Sequence, residues 1–297
     1  MSKQTIGWIG LGAMGLPMAQ HVMAAGYPLA VYARRAESAA PLVAQGAQYY
    51  ATPAQMAGQC DVVITMVTAA TDFEAVVFGE HGICHSIRPG SMVIDMETIS
   101  PTVARAAATR LSGQGVAMLD APVSGGPMGA AAASLSIMVG GTAADLARVQ
   151  VLLGCMGKTI THVGESGAGQ ITKACNQLAL LVTAQGVAEA LHMASSLGAD
   201  PALVRQVLLG GVASSRVLEL FGERMVQQHF EHGIDTRLYH KDMAIILELA
   251  HSAGLALPCS ALVMQQINAL MGQGRGREDL AALITVLAQT SKPQLKE

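Results

Sequence analysis

Apolar residues in the first half of the chain fall in short continuous runs: IGWIG (6–10), LAVY (29–32), VVITMV (62–67), MVID (92–95), VAMLDAPV (116–123), LSIMVGG (135–141) and ITHV (160–163). Stretches with helical spacing of apolar positions separate them. Runs that are continuous, not alternating, suit strands covered on both faces, so the pattern predicts a wound α/β domain around a parallel sheet. Beyond position 164 the texture changes. QITKACNQLALLVTAQGVAEALHMASSLG runs for almost thirty residues without proline and with few charges, which predicts one long helix. More helices follow. Asp200-Pro201 reads as a cap with proline at the first helical position, and TRLYHKDMAIILELAHSAG stops on Gly254. No strand pattern appears in this half. The predicted organisation is an α/β domain over 1–164 and an all-helical domain over 165–297, joined by the long helix.

Composition narrows the class of partner. Of the 297 residues, 51% are hydrophobic and 13% charged, so a large core is expected and disorder is not. A net charge of -3 and a pI near 6.3 offer no electrostatic attraction for nucleic acid or an anionic membrane, which leaves small molecules as the expected ligands. Gly, Asp, His or Lys interrupts every apolar run before the ~18 residues that a membrane span needs. The start, MSKQTIGWIGLG, lacks the basic-then-apolar layout of a secretion signal. A cytoplasmic protein is expected. The five cysteines are scattered and form no CxxC, so reduced thiols are the default. His81 and His85, and His229 and His232, have no third ligand near them in sequence, and no metal is expected.

The first stretch with chemistry is GLGAMG, Gly10 to Gly15, which follows the first strand and opens a helix. Strand, glycines and helix in that order are the dinucleotide-binding fingerprint of a Rossmann domain. Gly10 permits the tight turn, Gly12 lets backbone approach a pyrophosphate and Gly15 lets the helix pack on the strand, with Leu11, Ala13 and Met14 completing the cradle. The second stretch is VYARRAES (31–38). An acid about 20 residues past the fingerprint normally meets the adenosine ribose. Here Ala33, eighteen residues past Gly15, replaces it, and Arg34 and Arg35 follow. Two guanidinium groups suit a 2′-phosphate, which favours NADP(H) over NAD(H). Otherwise they are solvated surface charge.

In DAPVSGGPMGA (120–130), Ser124, Gly125 and Gly126 lie just past a strand. Their small size either shapes a concavity of amide N–H groups for a carboxylate or simply makes a flexible loop. In GESGAGQITKACNQ (164–177), Lys173 and Asn176 stand three apart on one helix face. A lysine on so apolar a helix either snorkels to water or is held in a cleft for acid/base use.

GLGAMGLPMA, DAPVSGG, GAGQITKACNQ and HKDMAI, in that order, resemble the β-hydroxyacid dehydrogenase family, which includes 3-hydroxyisobutyrate dehydrogenases and tartronate semialdehyde reductases. The resemblance implies an N-terminal Rossmann domain, a helical C-terminal domain and a cleft between them. It makes Lys173 the catalytic acid/base, Asn176 a polar substrate contact and Ser124, Gly125 and Gly126 the substrate-carboxylate site. Thr98 and Lys241 would approach the nicotinamide side of the cofactor, and Met66 and Val67 the loop beside it. Two departures stand out. The loop that relatives write MLP is Met66-Val67-Thr68, and the position four after the lysine, often Asn, is Gln177.

GGVASSRVLEL (210–220) is closer to the tartronate semialdehyde reductases than to the 3-hydroxyisobutyrate enzymes, so a small hydroxylated semialdehyde is the expected substrate. Threonate, sulfolactaldehyde, glyoxylate and succinic semialdehyde are the alternatives. A phosphogluconate would require a larger helical domain. A dinucleotide-binding module without turnover is the reading of another class. The long helix is apolar on more faces than one partner helix covers, which predicts a homodimer or homotetramer.

Overall fold

In the computed structural model, which describes residues 3–231 and 233–291, the chain divides into the units Met1–Lys173 and Ala174–Glu297. His232 lies outside the described residues. The strands are β1 (Ile6–Ile9), β2 (Leu29–Tyr32), β3 (Gln48–Tyr49), β4 (Val62–Thr65), β5 (Met92–Asp95), β6 (Ala117–Asp120), β7 (Val123–Ser124), β8 (Leu135–Gly140) and β9 (Gly157–Gly164). The helices of the first unit are α1 (Gly15–Ala24), α2 (Ala40–Val43), α3 (Pro53–Ala57), α4 (Ala70–Phe78), α5 (Pro101–Ser112), α6 (Gly126–Ala131) and α7 (Ala143–Leu153). Then come α8 (Ala168–Ser196), α9 (Pro201–Leu209), α10 (Arg216–Gln227), α11 (Thr236–Ser252), α12 (Pro258–Gly272) and α13 (Leu283–Thr290).

The sheet runs β3-β2-β1-β4-β5-β6-β8-β7, with β9 on β8. From β3 to β6 every pair is parallel. The continuous apolar runs are explained by the alternation of the pleat. Val62, Ile64, Met92 and Ile94 enter the core on one face, while Val63 and Val93 enter the core on the other. The sheet is not parallel throughout, because β8 runs antiparallel to both β6 and β7. Nor does the apolar run at 116–123 form one strand: Ala121 and Pro122 separate β6 from β7.

Helix starts follow their caps. Thr52, Ser100, Thr142 and Asp200 each accept a hydrogen bond from a backbone N–H of the first turn, with proline in that turn of α3, α5 and α9. Helix α11 ends at Ser252, just before Gly254 at φ +65°. In the second unit Leu181, Leu191, Phe221, Tyr239, Met243, Ile267 and Leu283 form the core.

Asp120 at the end of β6 accepts hydrogen bonds from Gly167 N at 2.7 Å and Gln170 N at 2.9 Å, tying the start of α8 to the sheet, so the first compact unit runs on to Lys173. One expectation changes: α8 is long and apolar enough to cross a membrane, with a mean hydropathy of 1.2 over its best window. Its Leu181, Ala184, Ala188 and Leu191 are buried in the helical core, and so are the polar Gln177 and Gln185. It has the character of a core helix.

Candidate functional site

The strand order turns back on itself between β1 and β4, and in open α/β sheets the crevice outside the carboxyl ends of such strands takes the ligand. The three glycines of GLGAMG occupy that point for three separate reasons. Gly10 has φ +96°, and a Cβ there would lie 2.3 Å from the Met66 carbonyl oxygen. A Cβ on Gly15 would stand 1.9 Å from the carbonyl oxygen of Gly10. At Gly12 an added Cβ meets nothing within 4 Å, so open space faces the backbone there. Leu11 and Met14 pack into the sheet core and anchor the turn, while Ala13 is exposed.

Helix α1 then starts without a side-chain cap and with no acid in its first turn, which leaves its amide end to an anion. The residues present therefore fit a dinucleotide. Met66 and Val67 follow β4, half-buried, and Met66 N–H donates to Ile9 O at 2.8 Å, which holds the loop despite its missing proline. Thr98 is half-buried just past β5.

Ala33 is buried at the end of β2, and Arg34 and Arg35 are exposed beyond it. Arg34 Nη1 pairs with Asp72 in the first turn of α4 at 3.2 Å, with the arginine side chain 79% exposed. Sequence reasoning had no partner for that guanidinium.

The structure brings Lys173 and the serine-glycine loop together. Lys173 is buried, 8% exposed, and its Nζ donates to Val123 O at 2.8 Å, the residue before Ser124. The snorkelling alternative is thereby ruled out for this lysine. Gly125 at φ +134° and Gly126 at φ +61° give the loop a backbone that side-chain-bearing residues rarely adopt, and Ser124 is pinned by the pairing of β7 with β8.

Around them is a buried polar cluster that sequence reasoning missed. Gln170 Nε2 donates to Glu97 O at 2.8 Å and Asp95 Oδ2 at 3.3 Å, its Oε1 accepts from Ile99 N at 3.1 Å, and Asp95 also accepts from Thr65 Oγ1 at 3.0 Å. Burial raises the Asp120 carboxyl above its usual range, and the Gly167 and Gln170 amides oppose that rise. Asp120 and Gln170 thus fix the first turn of α8, and Lys173 follows one turn later. The only signal for them was their position inside the two quoted motifs.

In the second unit Asn176 Nδ2 donates to Gln177 Oε1 at 2.9 Å, and Gln177 Nε2 donates to Asp242 Oδ2 at 2.6 Å. Lys241 Nζ lies 3.3 Å from Asp242 Oδ1. Gln177, one of the two noted departures, is therefore bonded into the protein. Arg216 opens α10, 72% exposed and paired with Glu219. His85 Nε2 rests 3.0 Å from Gly79 O, and no group of three or more His, Cys, Asp or Glu side chains that could hold a metal occurs among the described residues.

Comparison with known proteins agrees with this geometry. Residues 5–164 match the family model for the NAD binding domain of 6-phosphogluconate dehydrogenase, and residues 167–287 match that for the NAD-binding domain of NADP-dependent 3-hydroxyisobutyrate dehydrogenase. The chain is 40% identical to 2-hydroxy-3-oxopropionate reductase of Escherichia coli, over 95% of this chain and 96% of that one. It is 32% identical to the human mitochondrial 3-hydroxyisobutyrate dehydrogenase, over 97% and 88% of the two chains. The solved 3-hydroxyisobutyrate dehydrogenase of Mycobacterium tuberculosis superimposes with a TM-score of 0.88 at 30% identity, covering 96% of this chain and 99% of that one. The chain belongs to the β-hydroxyacid dehydrogenase family and is an NAD(P)-dependent oxidoreductase of that family.

Proposed function

We propose that the protein reduces a small hydroxylated semialdehyde with NADPH, with 2-hydroxy-3-oxopropionate (tartronate semialdehyde) as the substrate. The observation that carries this reading is the buried Lys173, held 2.8 Å from the carbonyl that leads into the Ser124–Gly126 loop. A cation and a glycine-shaped loop side by side suit a substrate with a carboxylate near its reacting carbonyl. NADPH, when bound, supplies the hydride. The Ser124–Gly126 loop holds the carboxylate, Asn176 contacts the substrate and the Lys173 ammonium gives its proton to the carbonyl oxygen, so aldehyde, hydride and proton become the hydroxyacid. In reverse, neutral Lys173 takes the hydroxyl proton.

The choice among substrates is supported by the 40% identity to the E. coli 2-hydroxy-3-oxopropionate reductase. The solved M. tuberculosis relative is described with L-serine, itself a three-carbon β-hydroxyacid. Small anions as substrate and cofactor accord with a cytoplasmic reaction. The test is a screen of C3 and C4 semialdehydes with NADPH, followed by absorbance. Tartronate semialdehyde should give the highest kcat/KM. Faster turnover of methylmalonate semialdehyde would favour the 3-hydroxyisobutyrate reading, and no turnover of any would favour a binding module.

For assembly, we infer that two copies meet through the second unit. Helix α9 has no buried residue in the single chain, with Leu203 61% and Val207 74% exposed, and Met193 of α8 and Leu197 just past its end are 61% and 74% exposed. Light scattering should give at least twice the 30.6 kDa of one chain. A stable monomer at micromolar concentration would remove the idea.

A further inference from the structure

We infer that Gln177 and Asp242 are positioning residues that determine which way round the Asn176 amide is held. The inference rests on the reading of Asn176 as a substrate contact. A carboxamide is nearly symmetric in shape, so packing alone does not distinguish its oxygen from its nitrogen. An ionised carboxylate is different, because it only accepts. Asp242 is 6% exposed and its Oδ1 pairs with the Lys241 ammonium at 3.3 Å, so that oxygen faces a cation. Its Oδ2 is 2.6 Å from Gln177 Nε2, with Gln177 5% exposed. The glutamine must therefore turn its NH₂ to the aspartate. Its Oε1 then faces the preceding residue, and Asn176 must answer with Nδ2, at 2.9 Å.

The direction of every hydrogen bond in the chain is thus decided at one end by a group with a single role. A flip of either amide would set donor against donor or acceptor against acceptor. Gln177 is also where this chain departs from relatives that carry asparagine four residues after the lysine. An orientation fixed in advance presents the same edge of Asn176 to every substrate molecule, and misplacement of a contact by about an ångström costs up to ~10²-fold in rate.

Exchanging the carboxylate and the amide between the two positions tests this. Gln177→Glu alone sets two carboxylates against each other, and Asp242→Asn alone lets both amides turn. Together they restore an acceptor toward Asn176, reverse donor and acceptor between 177 and 242, and keep one negative charge in the pair. At pH 8, each single variant should lose roughly tenfold or more in kcat with KM for NADPH little changed, and the double variant should return to within about threefold of wild type. A merely structural role predicts that the double variant is as poor as the worse single one, and that result overturns the inference.

A second readout does not need turnover. The Asn176 side-chain NH₂ signal of ¹⁵N-labelled protein, assigned by its loss in Asn176→Asp, should be protected from exchange in wild type and the double variant and unprotected in Asp242→Asn. Equal protection in all three overturns the inference. If wild type reduces no semialdehyde, the functional reading fails and the NMR result alone decides for or against the positioning chain.

Discussion

Lys173→Ala should lower kcat for semialdehyde reduction by at least ~10²-fold while leaving NADPH affinity nearly unchanged. General acid catalysis is worth about 10² to 10⁴ in rate, and the Lys173 ammonium is held at the residue before Ser124. The substitution also has a structural cost. Val123 O loses the donor at 2.8 Å, and an unsatisfied buried carbonyl costs on the order of 1–3 kcal/mol. Lys173→Met keeps most of the packing volume while losing the same bond and the same proton, so comparison with Lys173→Ala separates lost packing from lost chemistry. Both variants should be slow, and thermal melts should show that both remain folded. A Lys173→Ala enzyme that keeps more than a tenth of wild-type kcat would remove the proton-transfer role, and the proposed reduction would need another acid.

The parts of this molecule that were legible in the sequence are those governed by local rules. The strands β1, β2, β4 and β5 announced themselves because burial on both faces demands unbroken apolar runs, and α8 because 29 residues without proline have few other conformations. Glycine reported on backbone: Gly10, Gly15 and Gly125 stand where a side chain would meet its neighbours or where φ is positive. What stayed hidden depends on partners distant in sequence. Strand β3 is two exposed residues at a sheet edge, with no apolar signature to find. The reversal of β8 is a matter of pairing, and its run LSIMVG reads the same in either direction.

The polar interior is the deepest instance. Asp120 reaches an amide 50 residues on, and Gln177 reaches Asp242 across 65 residues. A lone Asp at a strand end or a lone Gln on a helix looks like surface until the fold supplies its partner. Arg34 shows the converse, since the sequence offered the cation and only the structure showed the Asp72 that shares it.

That shared arginine bears on cofactor choice, where wild type should prefer NADPH to NADH by ~10-fold to several hundred-fold in kcat/KM. Ala33 leaves no carboxylate at the end of β2 to repel a 2′-phosphate, and Arg34 and Arg35 follow it at the surface. The pair with Asp72 does not block this. An exposed ion pair contributes about 0.2–1 kcal/mol, whereas a charge-assisted hydrogen bond to a phosphate is worth roughly 1.5–3 kcal/mol, so a bound 2′-phosphate would be expected to draw the guanidinium from Asp72. The double change Ala33→Asp with Arg34→Ala should move the preference toward NADH, chiefly through KM for the cofactor. Its carboxylate would enter at a position only 8% exposed, so the variant should melt somewhat lower until a ribose hydroxyl satisfies the acid. Initial rates with both cofactors, on wild type first, settle the matter. Comparable kcat/KM for NADH and NADPH would mean that Arg34 serves Asp72 alone and that the residues after β2 carry no phosphate recognition.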